Sequence, residues 1–338
     1  MPNSLLVIVN PAAGGGRAAR LVPWIHERLA SRPDARVEVT GRAGDAEHWA
    51  AAFEGVTAGR IVAVGGDGTV QEVVNGIMAS GTDGASMGIV PTGSGNDLAR
   101  SLGLPRDPAA AWTVAIGRGE RAIDLMRATG DGGRSRWFGS AGGIGFDAQV
   151  AAAMAERSAW QRGRAGYLVT TLAELRRFDN RSVEITLDEV TTTAQVLFVA
   201  IANGEYYGGG MRIAPGALVD DGMLDLCVVG DISRMTALRQ LANLYRGTHV
   251  NHPQVEVRRG RSVSIAGDPA TLVHLDGEPF GGLPVRIALH PARMVVAVPA
   301  TRPAGRIRRA AVGEEIDATP GTPDRTERPS RTTRRCRG

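Results

Sequence analysis

The chain has 338 residues and a mass of 35.5 kDa, with 43% hydrophobic, 22% charged and only 4% aromatic residues; a sizeable core spread over about two domains is expected. Its net charge of +4 is unevenly placed, because residues 301–338 hold ten arginines against five acids and the remaining body is near neutral, which argues against a nucleic-acid partner. Every basic side chain is arginine, so Walker-A, protein-kinase and Schiff-base mechanisms, which need a lysine, are excluded.

Two cysteines, Cys227 and Cys336, are too few and too far apart for a disulfide framework or a cysteine zinc site. No apolar run approaches the roughly 18 residues of a span. The run Ser4–Val9 is too short for a signal peptide. The expected setting is cytoplasmic.

Along the first 125 residues, short apolar runs alternate with helical patterns. Leu5–Val9 reads as a strand entering Asn10-Pro11 and Gly14–Gly16, and Arg17–Leu29 as a helix. Val37–Thr40 and Asp45–Phe53 repeat the strand–helix pair. Ile61–Val64 is a third strand. Val70, Val73, Val74, Ile77 and Met78 form one helical face by their spacing. Met87–Val90 is a fourth strand. This alternation predicts a mostly parallel, doubly wound α/β sheet.

From about residue 126 to 300 the apolar runs are mostly β. They include Gln195–Asn203, Met223–Val229, Ala270–Leu275, Val285–Leu289 and Met294–Val298, separated by Gly, Asp and Pro turns. Two helical stretches interrupt them, one with Leu168, Leu172 and Leu175, the other with Met235, Leu238, Leu241, Ala242 and Tyr245. A mostly antiparallel β-sandwich is expected. Residues 301–338 lack apolar periodicity and are expected to be a disordered Arg-rich tail.

Three glycine loops follow parallel strands. Gly65-Gly66-Asp67-Gly68-Thr69 runs from a buried strand into a helix expected to start near Val70. Free helix N–H groups and the dipole there favour a phosphate. Asp67 fits a metal or a proton handled beside that phosphate. Pro91-Thr92-Gly93-Ser94-Gly95-Asn96-Asp97 has the same design, with Asn96 and Asp97 as helix caps. Asn10–Gly16 is the third. Such loops at the carboxyl ends of parallel strands form a nucleotide crevice. Gly143–Ala148 (GIGFDA) matches a looser dinucleotide pattern but lies in the β-rich half, where it reads as a chance match or a structural turn.

In the second half, Asp220, Asp221 and Asp225 surround Gly222, which suits either a Mg²⁺ seat or a hairpin turn. Asp276 and Glu278 lie in a turn that can supply a base, a metal ligand or a plain acidic turn.

In this order the motifs resemble those of the diacylglycerol-kinase catalytic-domain family, which includes bacterial diacylglycerol kinases and sphingosine kinases. Asn10–Gly14, Thr40 with Gly44-Asp45-Ala46, Gly65–Thr69, Pro91–Asp97, Ile123-Asp124-Leu125, Gly143–Ala148, Gly208–Leu226 and Leu275–Glu278 carry the resemblance. Ser94 stands where family members often have threonine, which keeps the hydroxyl.

The resemblance implies a NAD-kinase-like α/β domain over residues 1–125 and a lipid-receiving sandwich over 126–300. It implies ATP contacts at Asn10, Pro11, Ala12, Ala13, Gly14, Thr40, Gly65, Gly66, Asp67, Gly68, Thr69, Val70, Gln71, Glu72, Thr92 and Ser94. A structural Mg²⁺ would take the Leu218 carbonyl, the Asp221 carboxylate and the Met223 carbonyl. Glu278 is the expected proton acceptor, Asp276 its rival, and Asp67 joins the metal and water network. The implied activity is an ATP- and Mg²⁺-dependent lipid kinase, diacylglycerol the leading acceptor. Other lipid alcohols, NAD, or a non-catalytic binder are the alternatives. Partners implied are a membrane lipid met peripherally at the inner face of the membrane and a second copy of the chain. The Arg-rich tail is a candidate contact with anionic lipid.

Overall fold

The computed structural model describes residues 4–53, 59–81, 85–155 and 164–300; the Arg-rich tail lies outside them. The first part runs β1 (Leu5–Val9), α1 (Ala13–Gly16), α2 (Leu21–Leu29), β2 (Ala35–Val39), α3 (Asp45–Ala51), β3 (Arg60–Gly65), α4 (Asp67–Ser80), β4 (Ser86–Pro91), α5 (Asp97–Ser101), α6 (Pro108–Ala115) and β5 (Glu120–Gly130). Strands β2, β1, β3 and β4 pair in parallel in that order. Side chains alternate across the sheet: Leu6 and Ile8 meet α3 and α4, while Leu5, Val7 and Val9 meet α2 and α6. Burial on both faces explains the continuous apolar runs. The chain winds outward in opposite directions from β1 and β3, so the topological switch point lies between them.

Two helix starts differ from expectation. The helix expected from Arg17 opens with a 3₁₀ turn at Ala18–Arg20 and becomes α-helical at Leu21; before it, Gly14, Gly15 and Gly16 adopt left-handed φ of 63°, 69° and 87° and hold a turn. The helix expected from Val70 begins at Asp67 with Gly66 as its N-cap. Asp67, Gly68 and Thr69 therefore form its first turn.

The second part runs β6 (Ser135–Phe138), β7 (Ala141–Gly145), α7 (Phe146–Ala155), α8 (Arg164–Leu175), β8 (Arg181–Leu187), β9 (Val190–Val196), β10 (Phe198–Ala202), β11 (Tyr206–Tyr207) and β12 (Met211–Arg212). It continues with β13 (Leu224–Val229), α9 (Arg234–Arg246), β14 (Val255–Gly260), β15 (Ser262–Gly267), β16 (Leu272–Leu275), β17 (Glu278–Gly282) and β18 (Val285–Ala297). A six-stranded antiparallel sheet, ordered β14-β13-β10-β7-β16-β17, packs on the strands around β18, β15 and β8. Its outer face is covered by α7, α8 and α9.

The two halves share strands. The expected boundary at 125/126 falls inside β5, and β18 returns to pair with β5 along its length and with β4 at Val296. The two strands expected over 285–298 are one strand with a register break between His290 and Met294. Asp124 sits at that break. Its carboxylate accepts from Ala292 N at 2.8 Å and from Gly222 N at 2.7 Å, which ties the break to the Asp221–Gly222 turn.

Candidate active site

At the switch point the three glycine loops pack on one another. Asn10 Nδ2 donates to Thr69 Oγ1 at 3.0 Å, and Ala12 N donates to Asn10 Oδ1 at 3.1 Å. Both carboxylate oxygens of Asp67 accept main-chain hydrogen bonds of 2.7 Å, from Asn96 N and Asp97 N. The Asn96 side chain closes its own loop on Gly93, at 3.0 and 2.9 Å. A Cβ on Gly93 would lie 2.6 Å from Gly66 Cα, and one on Gly95 would lie 2.4 Å from Asp67 Oδ2. These glycines are needed for loop-on-loop packing before any ligand arrives. At Gly15 and Gly16 an added Cβ would meet nothing, so that loop leaves open space.

The loops face the turn between β16 and β17 across a cleft of about 390 Å³. Asp67, Ser94, Asp276 and Glu278 line it together. Asp276 and Glu278 differ in commitment. Asp276, at φ 48°, accepts from Ser140 N at 3.0 Å and Ala141 N at 2.9 Å on Oδ1, and from Gly139 N at 3.1 Å on Oδ2. It is an anchor holding its turn to β7. Glu278 is exposed, and its Oε1 lies 3.2 Å from where a Cβ of Gly68 would stand. Its carboxylate thus reaches the first turn of α4, where the helix N–H groups are free.

Other expected ligand-contact residues have structural duties. Gln71 is buried, and its Nε2 donates to Leu275 O at 2.9 Å across the cleft base. Glu72 Oε2 accepts from Ala46 N at 3.2 Å. Thr92 and Val70 are buried, and Thr92 Oγ1 has no hydrogen-bond partner. Thr40 N donates to Val9 O at 2.9 Å, which places Thr40 at the end of the strand beside Asn10.

Four cleft groups escaped the sequence reading. Asp97, expected as a cap, instead accepts from Gly209 N at 3.0 Å with Oδ2, while its buried Oδ1 has no hydrogen-bond partner. Among the described residues, the cation within ion-pair range of that oxygen is Arg100, whose Nε is 4.0 Å away. Asp147 lies at a structural strand-to-helix turn: Gly143–Gly145 is central strand of the antiparallel sheet, and Asp147 stands in the first turn of α7, lining the cleft. A Cβ on Gly143 would stand 1.8 Å from Asp147 Oδ2, so only glycine admits that carboxylate. His274 Nε2 lies 3.3 Å from Asp147 Oδ2, and His274 Nδ1 accepts from Gly277 N at 3.2 Å. The neutral tautomer protonated on Nε2 satisfies both contacts. Tyr207 stacks on the imidazole, its centroid 6.3 Å away. The signal for Asp147 was present: a buried strand ending in glycine and an Asp starting a helix repeats the Gly65–Asp67 pattern.

Burial dominates the electrostatics. It raises the carboxyls of Asp67 and Asp147 above the ordinary range. Asp97 is pushed up to about 7 by burial and then by the Asp67 charge. Asp276 is pushed up to about 6, chiefly by burial, against its three amide donors. A cleft crowded with desolvated carboxylates is short of positive charge, and hard oxygen donors suit Mg²⁺. The orphaned Asp97 Oδ1 and the Glu278 carboxylate fit such an ion.

The turn with Leu218, Asp221 and Met223 does not line the cleft. Its donors are all oxygens, which suits Mg²⁺ too. However, Asp221 Oδ2 already pairs with Arg259, and Oδ1 accepts from Met223 N at 3.2 Å. A cation there would have to displace the guanidinium.

Two family models match the chain: "Diacylglycerol kinase catalytic domain" over residues 4–128 and "YegS C-terminal NAD kinase beta sandwich-like domain" over 141–298. The diacylglycerol kinase of Mycobacterium tuberculosis (strain CDC 1551 / Oshkosh) is 34% identical over 295 residues, covering 86% of this chain and 94% of that protein. The "Probable lipid kinase YegS-like" of Xanthomonas euvesicatoria pv. vesicatoria (strain 85-10) is 33% identical over 273 residues, 79% of this chain and 87% of that protein. The crystal structure of a diacylglycerol kinase from Bacillus anthracis str. Sterne superposes with a TM-score of 0.66 at 23% identity, covering 88% and 97% of the two chains; at that identity the match speaks to the fold. The chain therefore belongs to the diacylglycerol kinase family of lipid kinases.

Proposed function

We propose that the protein transfers the γ-phosphoryl group of ATP to the hydroxyl of a membrane lipid, with Mg²⁺, and that diacylglycerol is the acceptor. The observation that supports it best is Glu278, an uncommitted carboxylate at the free N-terminal turn of α4. On this reading the loops at Asn10–Gly16, Gly66–Thr69 and Ser94 hold the triphosphate by the main-chain N–H groups they leave unused. The acceptor oxygen attacks the γ-phosphorus, the bond to the β-phosphate oxygen breaks and ADP leaves. Glu278 takes the hydroxyl proton late in that step. Asp276 positions the Glu278 turn, and Asp67 locks the second and third loops in register. Mg²⁺, when bound, supplies charge neutralisation for the phosphoryl oxygens. Asp97 would hold it in the cleft through its unpartnered Oδ1, and Leu218, Asp221 and Met223 would hold a structural ion outside it.

No helix among the described residues is long and apolar enough to cross a membrane, so the lipid would be met by peripheral contact. The test is transfer from labelled ATP to a panel of lipid alcohols and to NAD, with and without Mg²⁺. Labelled phosphatidic acid from diacylglycerol, lost on chelation, is expected. Labelling of NAD with no labelled lipid would overturn the reading.

A further inference from the structure

We infer that the outer face of α8 and α9 is a docking surface for an anionic bilayer, set beside the mouth of the cleft. The inference rests on the lipid-kinase reading for its purpose but not for its test. Helix α9 spans 13 residues and buries none of them. Its inner side, Ala237, Leu241 and Leu244, packs against the sandwich sheet. Its outer side is apolar as well: Met235, Leu238 and Tyr245 are 58%, 40% and 46% exposed. They recur at helical spacing along one exposed flank of the helix, between its inner side and the arginines.

Helix α8 continues the surface. Val169 and Leu172 are 56% and 37% exposed, and Leu172 and Leu238 line the same narrow crevice between the two helices. Five of the nine large hydrophobic residues exposed among the described ones thus lie on these two helices. Apolar side chains gathered this way mark an interaction site.

Charge selects the partner. Arg239 and Arg246 stand on the same face of α9 as Met235, and the helix contains no acid. Arg176 and Arg177 follow α8 and are exposed. Nearby acids are engaged: Glu174 accepts from Gln149, Asp179 pairs with Arg234, and Asp231 accepts from Asn180. Apolar residues flanked by arginines suit a helix lying in the interface of anionic lipid. Tyr245 also lines the cleft, beside Ala151, Met154 and Ala155 of α7. A lipid headgroup can therefore enter at this edge while its chains stay in the bilayer.

The test is cosedimentation of the full chain with vesicles of phosphatidylcholine and phosphatidylglycerol, against phosphatidylcholine alone. Met235→Gln with Leu238→Gln, and separately Arg239→Gln with Arg246→Gln, change only exposed positions. Wild type is expected to bind the anionic vesicles. The arginine pair should weaken binding about thirtyfold at low salt, and high salt should erase that difference. The apolar pair should weaken it by about tenfold or more. Unchanged melting temperatures and unchanged turnover of a water-soluble short-chain acceptor confirm that neither pair acts through the fold.

Wild type that fails to sediment, or either pair that binds like wild type, overturns the inference. Loss of binding only on removal of residues 301–338 moves attachment to the tail. A dimer broken by the apolar pair with vesicle binding intact assigns the face to a second copy of the chain. Vesicle binding without any lipid phosphorylation would sink the proposed function and leave the docking face standing.

Discussion

Replacing Asp97 by asparagine should make the protein more stable at pH 8, although it removes a buried, hydrogen-bonded side chain. Asp97 keeps one good contact, from Gly209 N, which the asparagine carbonyl can also accept. Its other oxygen has no hydrogen-bond partner. Burial and the Asp67 charge push this carboxyl from 3.8 to about 7. A raised folded pKa means that the native state binds the proton more tightly than the unfolded chain. The associated stability is therefore fully present below 3.8 and lost as pH rises through about 7. At pH 8 the penalty for ionising it is at most about 4 kcal/mol. Asp67 titrates with it, so about half of that is expected for Asp97 alone. For a chain of this size that is a difference of roughly 3 °C in melting temperature.

The assay is thermal unfolding of both proteins at pH 5 and pH 8, in chelator. Subtracting one protein from the other cancels the titrating groups that do not couple to Asp97. The asparagine variant should exceed wild type at both pH values, by roughly two-fifths as much at pH 5 as at pH 8, because the loss accumulates between 3.8 and about 7. Added Mg²⁺ at pH 8 should close the gap from the wild-type side, because only the carboxylate is relieved by a cation. A variant no more stable than wild type at either pH refutes the account of a desolvated, cation-deficient cleft.

Further outcomes separate the roles of the remaining residues. Glu278→Gln should lower kcat by about a hundred- to ten-thousandfold while leaving the melting temperature unchanged; near-normal turnover removes Glu278 from proton transfer. In Gly93→Ala the new Cβ meets Gly66 Cα at 2.6 Å, so the two loops must part. Calorimetry should show nucleotide affinity reduced by about tenfold or more, with a stability loss of about 1–3 kcal/mol, and unaltered affinity would show that loop spacing does not set the phosphate site. Saturating Mg²⁺ at about a hundred times its Kd should raise stability by about 2.7 kcal/mol. On the structural-ion reading that gain shrinks in Asp221→Ala and grows in Arg259→Gln, where the guanidinium no longer competes; equal gains in all three proteins exclude the Asp221 seat.

The parallel sheet and its loops were readable because their determinants are local. A strand such as Ile61–Val64 is apolar throughout because both faces are covered, and the glycines that follow are adjacent in sequence. What escaped depends on distant partners. Asp276 and Glu278 are indistinguishable as two acids in a turn; only the amides of Gly139, Ser140 and Ala141 make one of them an anchor. Helix α7 gave no periodic signal because most of its residues are apolar or small (FDAQVAAAMA). The Thr-rich strand β9 is half solvated, pairs only with β8 at the sheet's end, and was hidden by its polarity. The stretch with Met235, Leu238 and Tyr245 was correctly helical, but periodicity cannot tell an inner stripe from an outer one when a helix is apolar on two sides.

On the proposed function the cleft meets two opposite demands, and their conflict accounts for its composition. A polyphosphate calls for positive charge, yet the chain has no lysine, and Arg100, the arginine nearest the buried carboxyls, is turned to Gly95 O at 2.8 Å. Proton removal from a lipid hydroxyl calls for a carboxylate, and the cleft is rich in these. Main-chain N–H groups can serve the phosphates without paying the desolvation cost of a buried cation, but they carry only partial charge. The carboxyls of Asp67, Asp97 and Asp276 resist ionising while the cleft holds no cation, and each would be relieved by one. Nucleotide and divalent ion therefore favour each other's binding in such a site, by the reciprocity that any coupling free energy imposes. On the proposed function an acidic cleft would in this sense be selective: it would reject bare triphosphate and admit the neutralised form, which is the form whose γ-phosphorus an oxygen nucleophile can approach.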